Sequence, residues 1–322
     1  MVKPGDANPG KILGCGIGLR STYVPEILSG VSKSDWFEVI SENLFGLQDV
    51  GAGKTLRHLL KVREKYEFGM HGVALSIGSA DPLNFRYLEE LRELTRIFQP
   101  VHLSDHFCWT GVNGKSLHDL MPLPYTEECL SNLVSKVQKA QEFLGQEILL
   151  ENVSSYLEFE NSEMTEWEFI GEVSRRAGSY ILLDINNVFV SSKNHEFNPW
   201  DYLDNIPHGR VKQIHLGGPV EKEHHFIDTH DHPILEEVWD LYEKYTRKYG
   251  AVSTIIERDD KFPTLENLET AELLRARKIF SGATNFKEEG RVAGVRQPKE
   301  RATKERQPKA RPPKERPHDQ TL

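Results

Sequence analysis

Residues 180–187 read Tyr-Ile-Leu-Leu-Asp-Ile-Asn-Asn, and this stretch contains the pattern that decides the fold. A short run of apolar, β-favouring residues ends at an ionisable side chain, and polar residues follow it. Comparable runs occur at residues 15–20, 36–41, 68–73, 101–104, 147–151, 180–185, 211–216 and 252–257. Between them lie segments with apolar residues three and four positions apart, a spacing typical of amphipathic helices, at residues 82–98, 126–144, 166–177 and 234–249. Eight strands that alternate with helices predict an α/β fold, a single closed (β/α)8 TIM barrel.

Local signals mark helix ends and disfavour a nucleotide-binding fold. Asp81 and Pro82 predict the start of the helix over residues 82–98, with Asp81 as its N-cap. Gly145 and Gly250 predict the ends of two other helices. The sequence has neither an early Gly-x-Gly-x-x-Gly turn nor a phosphate-binding loop. The alternating glycines of residues 14–18 are interpreted as close packing where strands meet.

The charge distribution separates an acidic body from a basic tail. The 322-residue chain has a formal net charge of -9, yet residues 287–322 contain eleven Lys and Arg against six Asp and Glu, which leaves -14 for the rest. An acidic body repels the phosphates of nucleic acids, so we expect no nucleic-acid partner. The tail repeats Gln-Pro-Lys and Lys-Glu-Arg and has almost no apolar residue to bury.

These features predict three segments. We expect a flexible N-terminus over residues 1–11, a barrel domain over residues 12–282 and a disordered Pro/Lys/Arg-rich tail over residues 283–322, because such a tail cannot offset its ordering entropy by burial. A solvated tail is favoured over a nucleic-acid or membrane-surface role, since acidic residues interrupt the basic run. The chain has neither an apolar run of roughly 20 residues nor an N-terminal secretion signal, so we expect a cytoplasmic protein without a membrane partner.

The predicted strand ends are rich in imidazole and carboxylate groups, and TIM barrels place their chemistry at these ends. The candidate metal ligands are His71, His106, Glu151, Asp184, His215, Asp228, His230 and Glu257. So many like charges in one mouth repel each other unless cations bind there. Imidazole with carboxylate suits Fe, Mn or Zn, and the number of ligands predicts a bridged cluster of more than one metal.

Several other residues are assigned by their context. Asp228 and His230 are two positions apart, a spacing that puts both side chains on one side of an extended backbone. His195 follows the strand of Asp184 and is placed near the mouth. The remaining histidines are expected at the surface or in the core, and they are His58, His102, His118, His208, His224, His225 and His232. Only three scattered cysteines occur, so a cysteine metal site is excluded.

Short segments in a fixed order give the chain a family resemblance. They are Met70-His71-Gly72-Val73, Ser104-Asp105-His106, the Asp-Leu-Met-Pro-Leu-Pro-Tyr-Thr of residues 119–126, Leu149-Leu150-Glu151-Asn152, the Leu-Leu-Asp-Ile-Asn-Asn of residues 182–187, Asn194-His195 and Ile227-Asp228-Thr229-His230. Over residues 14–274 the chain resembles the multinuclear non-haem iron-dependent oxidative enzymes (MNIO), which include methanobactin-synthase-like and thiaglutamate-synthase-like proteins. The resemblance implies a TIM barrel akin to xylose isomerases and apurinic endonucleases, with two or three irons at its mouth.

The resemblance also implies a role for each matched residue. One iron would be bound by His71, His106, Glu151 and Asp184. Glu151 would bridge to a second iron, which is completed by Asp184, His215 and Glu257. A third position would use Asn187, Asp228 and His230, and it should bind least tightly because an asparagine is a weak ligand. The catalytic candidates within the matched segments are Asp105, Asn152, Asn186 and His195.

Relatives of this kind modify ribosomally made peptides, most often at cysteine, with molecular oxygen. The resemblance implies that the substrate thiol binds iron and that hydrogen is removed from the cysteine β-carbon, although some relatives act on Asp or Asn. It further implies a small partner protein that binds the leader peptide of the precursor. Two departures affect the expected substrate: Gly217-Gly218-Pro219 replaces the usual Ala-Gly-His, and Ile256-Glu257-Arg258 replaces a common Glu-Trp-Asp.

Three classes of function compete. An iron-dependent oxidative enzyme ranks first, a zinc or manganese phosphodiesterase or sugar isomerase second, and an inert binding protein third. An endonuclease should have a basic DNA-facing surface, which the acidic body does not suggest. An isomerase would normally place a lysine near its metals, and no predicted strand end supplies one. An inert protein would have lost ligands, whereas every key ligand is present.

Overall fold

The computed structural model describes residues 10–46 and 53–292. At its centre eight parallel strands form a closed barrel, and they are β1 (Cys15–Gly18), β2 (Trp36–Ile40), β3 (Glu67–His71), β4 (His102–His106), β5 (Leu149–Glu151), β6 (Tyr180–Asp184), β7 (Val211–Leu216) and β8 (Ser253–Ile256). Each strand pairs with its neighbour in the chain, and β1 pairs with β8. The predicted TIM barrel is therefore confirmed.

Helices cover the outside of the barrel. They are α1 (Val24–Ser29), α2 (Gly53–Arg63), α3 (Phe85–Phe98), α4 (Glu127–Leu144), α5 (Glu166–Ala177), α6 (Ile185–Asn194), α7 (Pro199–Leu203), α8 (Glu236–Tyr249), α9 (Leu265–Leu268) and α10 (Leu274–Val292). Apolar residues on the inner helix faces pack against the strands; in α4 they are Leu130, Leu133, Val137, Ala140 and Leu144. This layer of apolar contacts holds the strand ends in fixed positions.

Two antiparallel hairpins interrupt the strand–helix alternation on the face where the strands end. Trp109–Val112 pairs with Lys115–Met121 between β4 and α4, and Val220–Glu221 pairs with Phe226–Ile227 between β7 and α8. Loops of this face carry the functional residues of TIM barrels, so both hairpins lie where they can shape a site.

The structure corrects one predicted helix start. Helix α3 begins at Phe85, where the Asn84 side chain caps it by accepting a hydrogen bond from the Tyr87 amide at 3.2 Å. The Asp81 carboxylate instead accepts bonds from the amides of Asn113 and Gly114, at 2.9 and 3.2 Å. The hairpin turn thus competes for Asp81, and the prediction of a cap at this residue was wrong.

The glycine predictions are confirmed. Gly145 ends α4 with a φ of 71°, and Gly250 ends α8 with a φ of 101°. A Cβ on Gly16 would lie 2.5 Å from the carbonyl oxygen of Trp36, so close packing between β1 and β2 requires glycine there.

The structure tests the predicted terminal segments only in part. Helix α10 ends at Val292, ten residues into the segment 283–322 that the sequence predicts as a tail. Residues 293–322 and residues 1–9 lie outside the described part, so their predicted disorder stays a prediction. Among the described helices, none combines the length and apolarity that crossing a membrane requires.

Candidate metal centre

Glu151, the last residue of β5, is shared between two groups of imidazoles. Its Oε2 lies 3.3 Å from Nε2 of His71 and 3.4 Å from Nε2 of His106. Its Oε1 lies 3.5 Å from Nδ1 of His215. One carboxylate therefore presents each oxygen to a different set of nitrogen donors, as a bridging ligand would.

His71 and His106 are held by the nitrogen that faces away from Glu151. Nδ1 of His71 lies 2.8 Å from the Ser104 hydroxyl, and Nδ1 of His106 lies 3.1 Å from the carbonyl oxygen of Gly72. Both side chains are buried, and their rings contact each other with centroids 4.6 Å apart. The two Nε2 atoms thus converge on one oxygen.

A second group forms around His215 on β7. Its Nδ1 lies 3.0 Å from Oε2 of Glu257, and donor atoms of Glu151, Asp184, His215 and Glu257 all lie within 4.8 Å of one another. His71, Glu151 and His215 form another such group, so the two sets overlap at Glu151 and His215. His71, Glu151 and Asp184 end strands β3, β5 and β6, His215 is the next-to-last residue of β7, and Glu257 directly follows β8.

A third group lies beside Glu257 and includes a residue that the sequence did not single out. Donor atoms of His230, Glu257 and Asp259 lie within 4.8 Å of one another. His230 Nδ1 is 3.3 Å from Glu257 and 3.2 Å from Asp259, while its Nε2 is 2.6 Å from Oδ1 of Asp228. The predicted proximity of Asp228 and His230 is confirmed, but His230 has a φ of 47° rather than an extended backbone.

Gly217 makes room for this third group. A Cβ on Gly217 would lie 2.2 Å from Cδ2 and 2.5 Å from Nε2 of His230. Gly218 is equally enclosed, since its Cβ would lie 2.0 Å from the carbonyl oxygen of His232. The departure Gly217-Gly218-Pro219 is thus linked to the position of the His230 imidazole.

Three asparagines hold the end of β6. The Asn152 side chain accepts from the Asp184 amide and donates to the Asp184 carbonyl, both at 2.9 Å. The Asn187 side chain donates to the Asn152 carbonyl at 3.0 Å, and the backbone amide of Asn187 donates to Asp184 Oδ1 at 2.6 Å. Asn186 donates to Oδ1 of Asp228 at 2.8 Å and so connects α6 to the third group.

The remaining catalytic candidates lie beside the ligand candidates rather than among them. The Asp105 carboxylate accepts from the His106 amide at 2.7 Å, and from the Leu75 amide and the Tyr87 hydroxyl at 3.2 Å each. Nε2 of His195 lies 2.6 Å from the hydroxyl of Ser155. Their roles in a reaction stay predictions.

Burial and neighbouring charges set the protonation of the cluster. Burial lowers the pKa of His71 well below its usual value, and the nearby imidazoles add to this. Burial acts the same way on His215, but the surrounding carboxylates outweigh it and raise the pKa of His215 well above its usual value. Burial raises the pKa of Asp184 strongly, whereas His215 and His230 overcome burial and lower the pKa of Glu257.

Several buried atoms of the cluster that could bind a metal have no hydrogen-bond partner within the described part of the chain. Among them are the oxygens Oε2 of Glu151, Oδ2 of Asp184 and Oδ1 of Asn187. An orphaned buried oxygen is costly unless something else binds it. Three overlapping His and carboxylate groups with such atoms fit divalent metals of the Fe, Mn and Zn kind.

A cavity of about 940 Å³ lies above the cluster. The ligand candidates in its lining are His71, His106, Glu151, Asn187, Asp228, His230 and Glu257. Asp119 and Leu120 of the first hairpin line it, as do the partly exposed aromatic side chains of Tyr156 and Phe262. These seven ligand candidates therefore open to a space large enough for part of a peptide, whereas Asp184 and His215 are fully buried and do not line it.

Sequence reasoning missed the support for these ligands as well as Asp259. Glu38 contacts His215 from inside the barrel, and Ser104 contacts His71. A carboxylate in the middle of the apolar run Trp36-Phe37-Glu38-Val39-Ile40 was the available signal for Glu38. His102 is buried against Trp36, as expected for a core histidine.

The fold and the cluster define a TIM-barrel protein with a His and carboxylate centre at the carboxyl ends of its strands. The family profile described as RiPP precursor modification enzyme MbnB/TglH/ChrH matches residues 14–281, and the chain belongs to this family. A UPF0276 protein of Anaeromyxobacter sp. (strain Fw109-5) is 46% identical over 280 residues, which cover 87% of this chain and 97% of the relative. A UPF0276 protein of Acaryochloris marina is 45% identical over 257 residues, 80% of this chain and 91% of the relative.

Solved structures share the fold at low sequence identity. An L-ribulose 3-epimerase superposes with a TM-score of 0.53 at 12% identity and covers 89% of this chain and 100% of its own. A D-allulose 3-epimerase from Methylomonas sp. gives a TM-score of 0.52 at 13% identity, with 87% and 98% covered. These likenesses support the predicted fold, a barrel of the xylose-isomerase type, and concern the fold alone.

Proposed function

We propose that this protein is a multinuclear iron enzyme that uses O2 to modify a ribosomally made precursor peptide at cysteine residues. One observation carries the proposal: two groups of donor atoms, one with His71 and one with Asp184 and Glu257, overlap through Glu151 and His215. Isolated metal sites have separate ligand sets, whereas shared carboxylates are suited to bridging adjacent ions. Membership of a family that acts on ribosomal precursor peptides supports the class of substrate.

Overlapping sets of protein ligands would hold the ions. His71, His106, Glu151 and Asp184 would hold one iron, and Glu151 would bridge to a second held with Asp184, His215 and Glu257. His230 and Asp228 would hold a third together with Asn187, whose buried Oδ1 makes no hydrogen bond to the described residues. Bound iron would supply the electron transfer and the activation of O2 that these side chains cannot provide.

The protein's own residues would position the peptide and keep the ligands fixed. The cavity above the cluster would admit the segment to be modified, and Tyr156 and Phe262 at its edge would contact the peptide. Asp105, Asn152 and Asn186 would act through the ligand residues that they hydrogen-bond. His195 would support the same wall of the cavity through Ser155.

Several further expectations belong to this proposal. A separate, small partner protein would bind the leader peptide and present the precursor to the cavity. Residues 12–282 would form the catalytic domain, and the acidic body would disfavour nucleic-acid substrates. The reaction would take place in the cytoplasm.

The test uses the full chain purified without oxygen and loaded with ferrous iron, together with a cysteine-bearing precursor peptide and its leader-binding partner. We expect O2 consumption and a mass change confined to cysteine-containing fragments. His106→Ala and Glu151→Ala should abolish both signals, while His225→Ala, in an exposed loop, should retain them. Full occupancy by zinc or manganese without O2 uptake would contradict the proposal and favour hydrolysis or isomerisation.

A further inference from the structure

A buried polar chain runs from the metal centre into the barrel interior. Oε1 of Glu38 lies 2.6 Å from Nε2 of His215, and the Gln213 side-chain amide donates to Oε2 of Glu38 at 2.5 Å. Oε1 of Gln213 lies 2.8 Å from Nδ1 of His102. Glu38 is 6% exposed, and the other three residues are fully buried.

The sequence places these groups on one inward face and leaves space for them. Gln213 and His215 are two positions apart on β7, so their side chains point to the same side of the strand. On β3, a Cβ at Gly69 would lie 3.1 Å from Oε2 of Glu38 and 2.8 Å from the Trp36 ring. Glycine at this position therefore accommodates the Glu38 carboxylate.

The contact with Glu38 turns the His215 imidazole the opposite way from the other two. His71 and His106 use Nδ1 for internal contacts and present Nε2 to Glu151. His215 uses Nε2 for its contact with Glu38 and presents Nδ1, which lies 3.0 Å from Glu257 and 3.5 Å from Glu151. Nε2 of His215 also lies 2.8 Å from the side-chain nitrogen of Gln213, but that nitrogen donates to Glu38. The carboxylate of Glu38 at 2.6 Å is the acceptor beside Nε2, so the proton lies on Nε2 and the lone pair of Nδ1 is left for a metal.

We propose that Glu38 is a positioning residue that makes His215 a ligand through Nδ1, whereas His71 and His106 ligate through Nε2. The inference deepens the proposed function, because it rests on a metal centre at these residues. Buried carboxylates that accept the second N–H of a ligating histidine fix the ring and strengthen its donation. Their loss typically lowers metal affinity by about 10–100-fold.

The isosteric variant Glu38→Gln tests the role of the charge. Metal-free protein is titrated with Co2+ alone in competition with a chelator, and d–d absorption reports the ligand geometry. We expect about 10–100-fold weaker binding of one ion in Glu38→Gln, with a changed spectrum and an unchanged far-UV circular dichroism. The double variant Glu38→Gln/Gln213→Glu returns a carboxylate to the same buried chain and should recover part of the affinity.

A matched control removes a half-buried carboxylate that is not one of the ligand candidates. Glu166, whose side chain contacts the Tyr202 hydroxyl at 3.0 Å, lies at the start of α5, and Glu166→Gln should leave Co2+ affinity unchanged. If Glu38→Gln binds all ions within twofold of the wild type, the positioning role is refuted while the metal centre stands. If the wild type binds no Co2+, both the inference and the proposed function fail.

The NMR signals of the imidazole nitrogens report which nitrogen binds the metal, and a purely structural role of Glu38 would not change them. In zinc-loaded protein with 15N-labelled histidine, we expect one metal-bound imidazole coordinated through Nδ1, and His215→Asn should remove its signals. In Glu38→Gln this coordination should become mixed or weaken. A wild-type spectrum in which every bound histidine uses Nε2 would overturn the proposal even if the variants fold poorly.

Discussion

Gly217→Ala is the substitution whose effect on the centre follows most directly from the geometry. The new Cβ would lie 2.2 Å from Cδ2 of His230. Carbon atoms in contact are about 3.5–4.0 Å apart, so the imidazole must retreat by more than about 1 Å. Metal–ligand distances tolerate only about 0.2 Å, and a displaced His230 can no longer share an ion with Asp228.

The expected result is a selective loss at the third position. The three atoms nearest to the added methyl group all belong to His230, so the ions held through Glu151 should stay. The overpacked site should also lose about 1–3 kcal/mol of unfolding free energy in metal-free protein.

The assay is metal stoichiometry after loading with ferrous iron under nitrogen, measured by elemental analysis and by competition with a chelator. Gly209→Ala is the matched control, because its Cβ would meet nothing within 4 Å. Gly217→Ala should bind one iron fewer per chain than Gly209→Ala, with the remaining irons bound as tightly as in the wild type. Equal stoichiometry and affinity in both variants would refute the proposal that His230 and Asp228 bind an iron at the third position.

Three further predictions concern the cluster, its pH response and the fold. Glu151→Gln should lower metal affinity at two positions at once, since each oxygen of Glu151 faces different imidazoles, and chelator competition measures this. Burial raises the pKa of Glu166 from 4.5 to about 7. Folding therefore favours the protonated carboxyl group. Its contribution to the free energy of unfolding is fully present below pH 4.5 and is lost as the pH rises through about 7. Glu166→Gln should thus gain up to about 3 kcal/mol over metal-free wild type in urea unfolding at pH 8, and little at pH 4.5; an equal difference at both pH values would contradict this. Glu272→Ala leaves the buried Arg258 without its partner at 2.7 Å and should cost about 3–5 kcal/mol in the same unfolding assay, and a loss below 1 kcal/mol would contradict the importance of the pair.

The barrel was predictable because the repeated apolar runs have the length of strands and the intervening segments have helical spacing. Helix α5 has the predicted bounds, and α4 and α8 differ from prediction only at their starts. The hairpins were missed, although Asn113-Gly114 is a strong signal for a tight hairpin turn. Both residues have positive φ, 53° and 69°, as such a turn requires.

The site was predictable where a ligand candidate ends a strand, since parallel strands bring their carboxyl ends to one mouth. Asp228 and His230 lie in a loop after a hairpin. Their spacing predicted that they lie close together on an extended backbone, but His230 does not have that conformation. Glu38 lies within a strand and Asp259 within a loop. A search for functional residues at the ends of strands therefore finds neither of them. Such contacts depend on how distant strands and loops pack.

The proposed centre is a bridged cluster of iron at the mouth of the barrel. The most direct measurement is Mössbauer spectroscopy with elemental analysis on protein purified without oxygen after growth in 57Fe. We expect two or three irons per chain and a spin-coupled signal that disappears in Glu151→Gln. A single uncoupled iron, or zinc at full occupancy after anaerobic loading with iron, would contradict it.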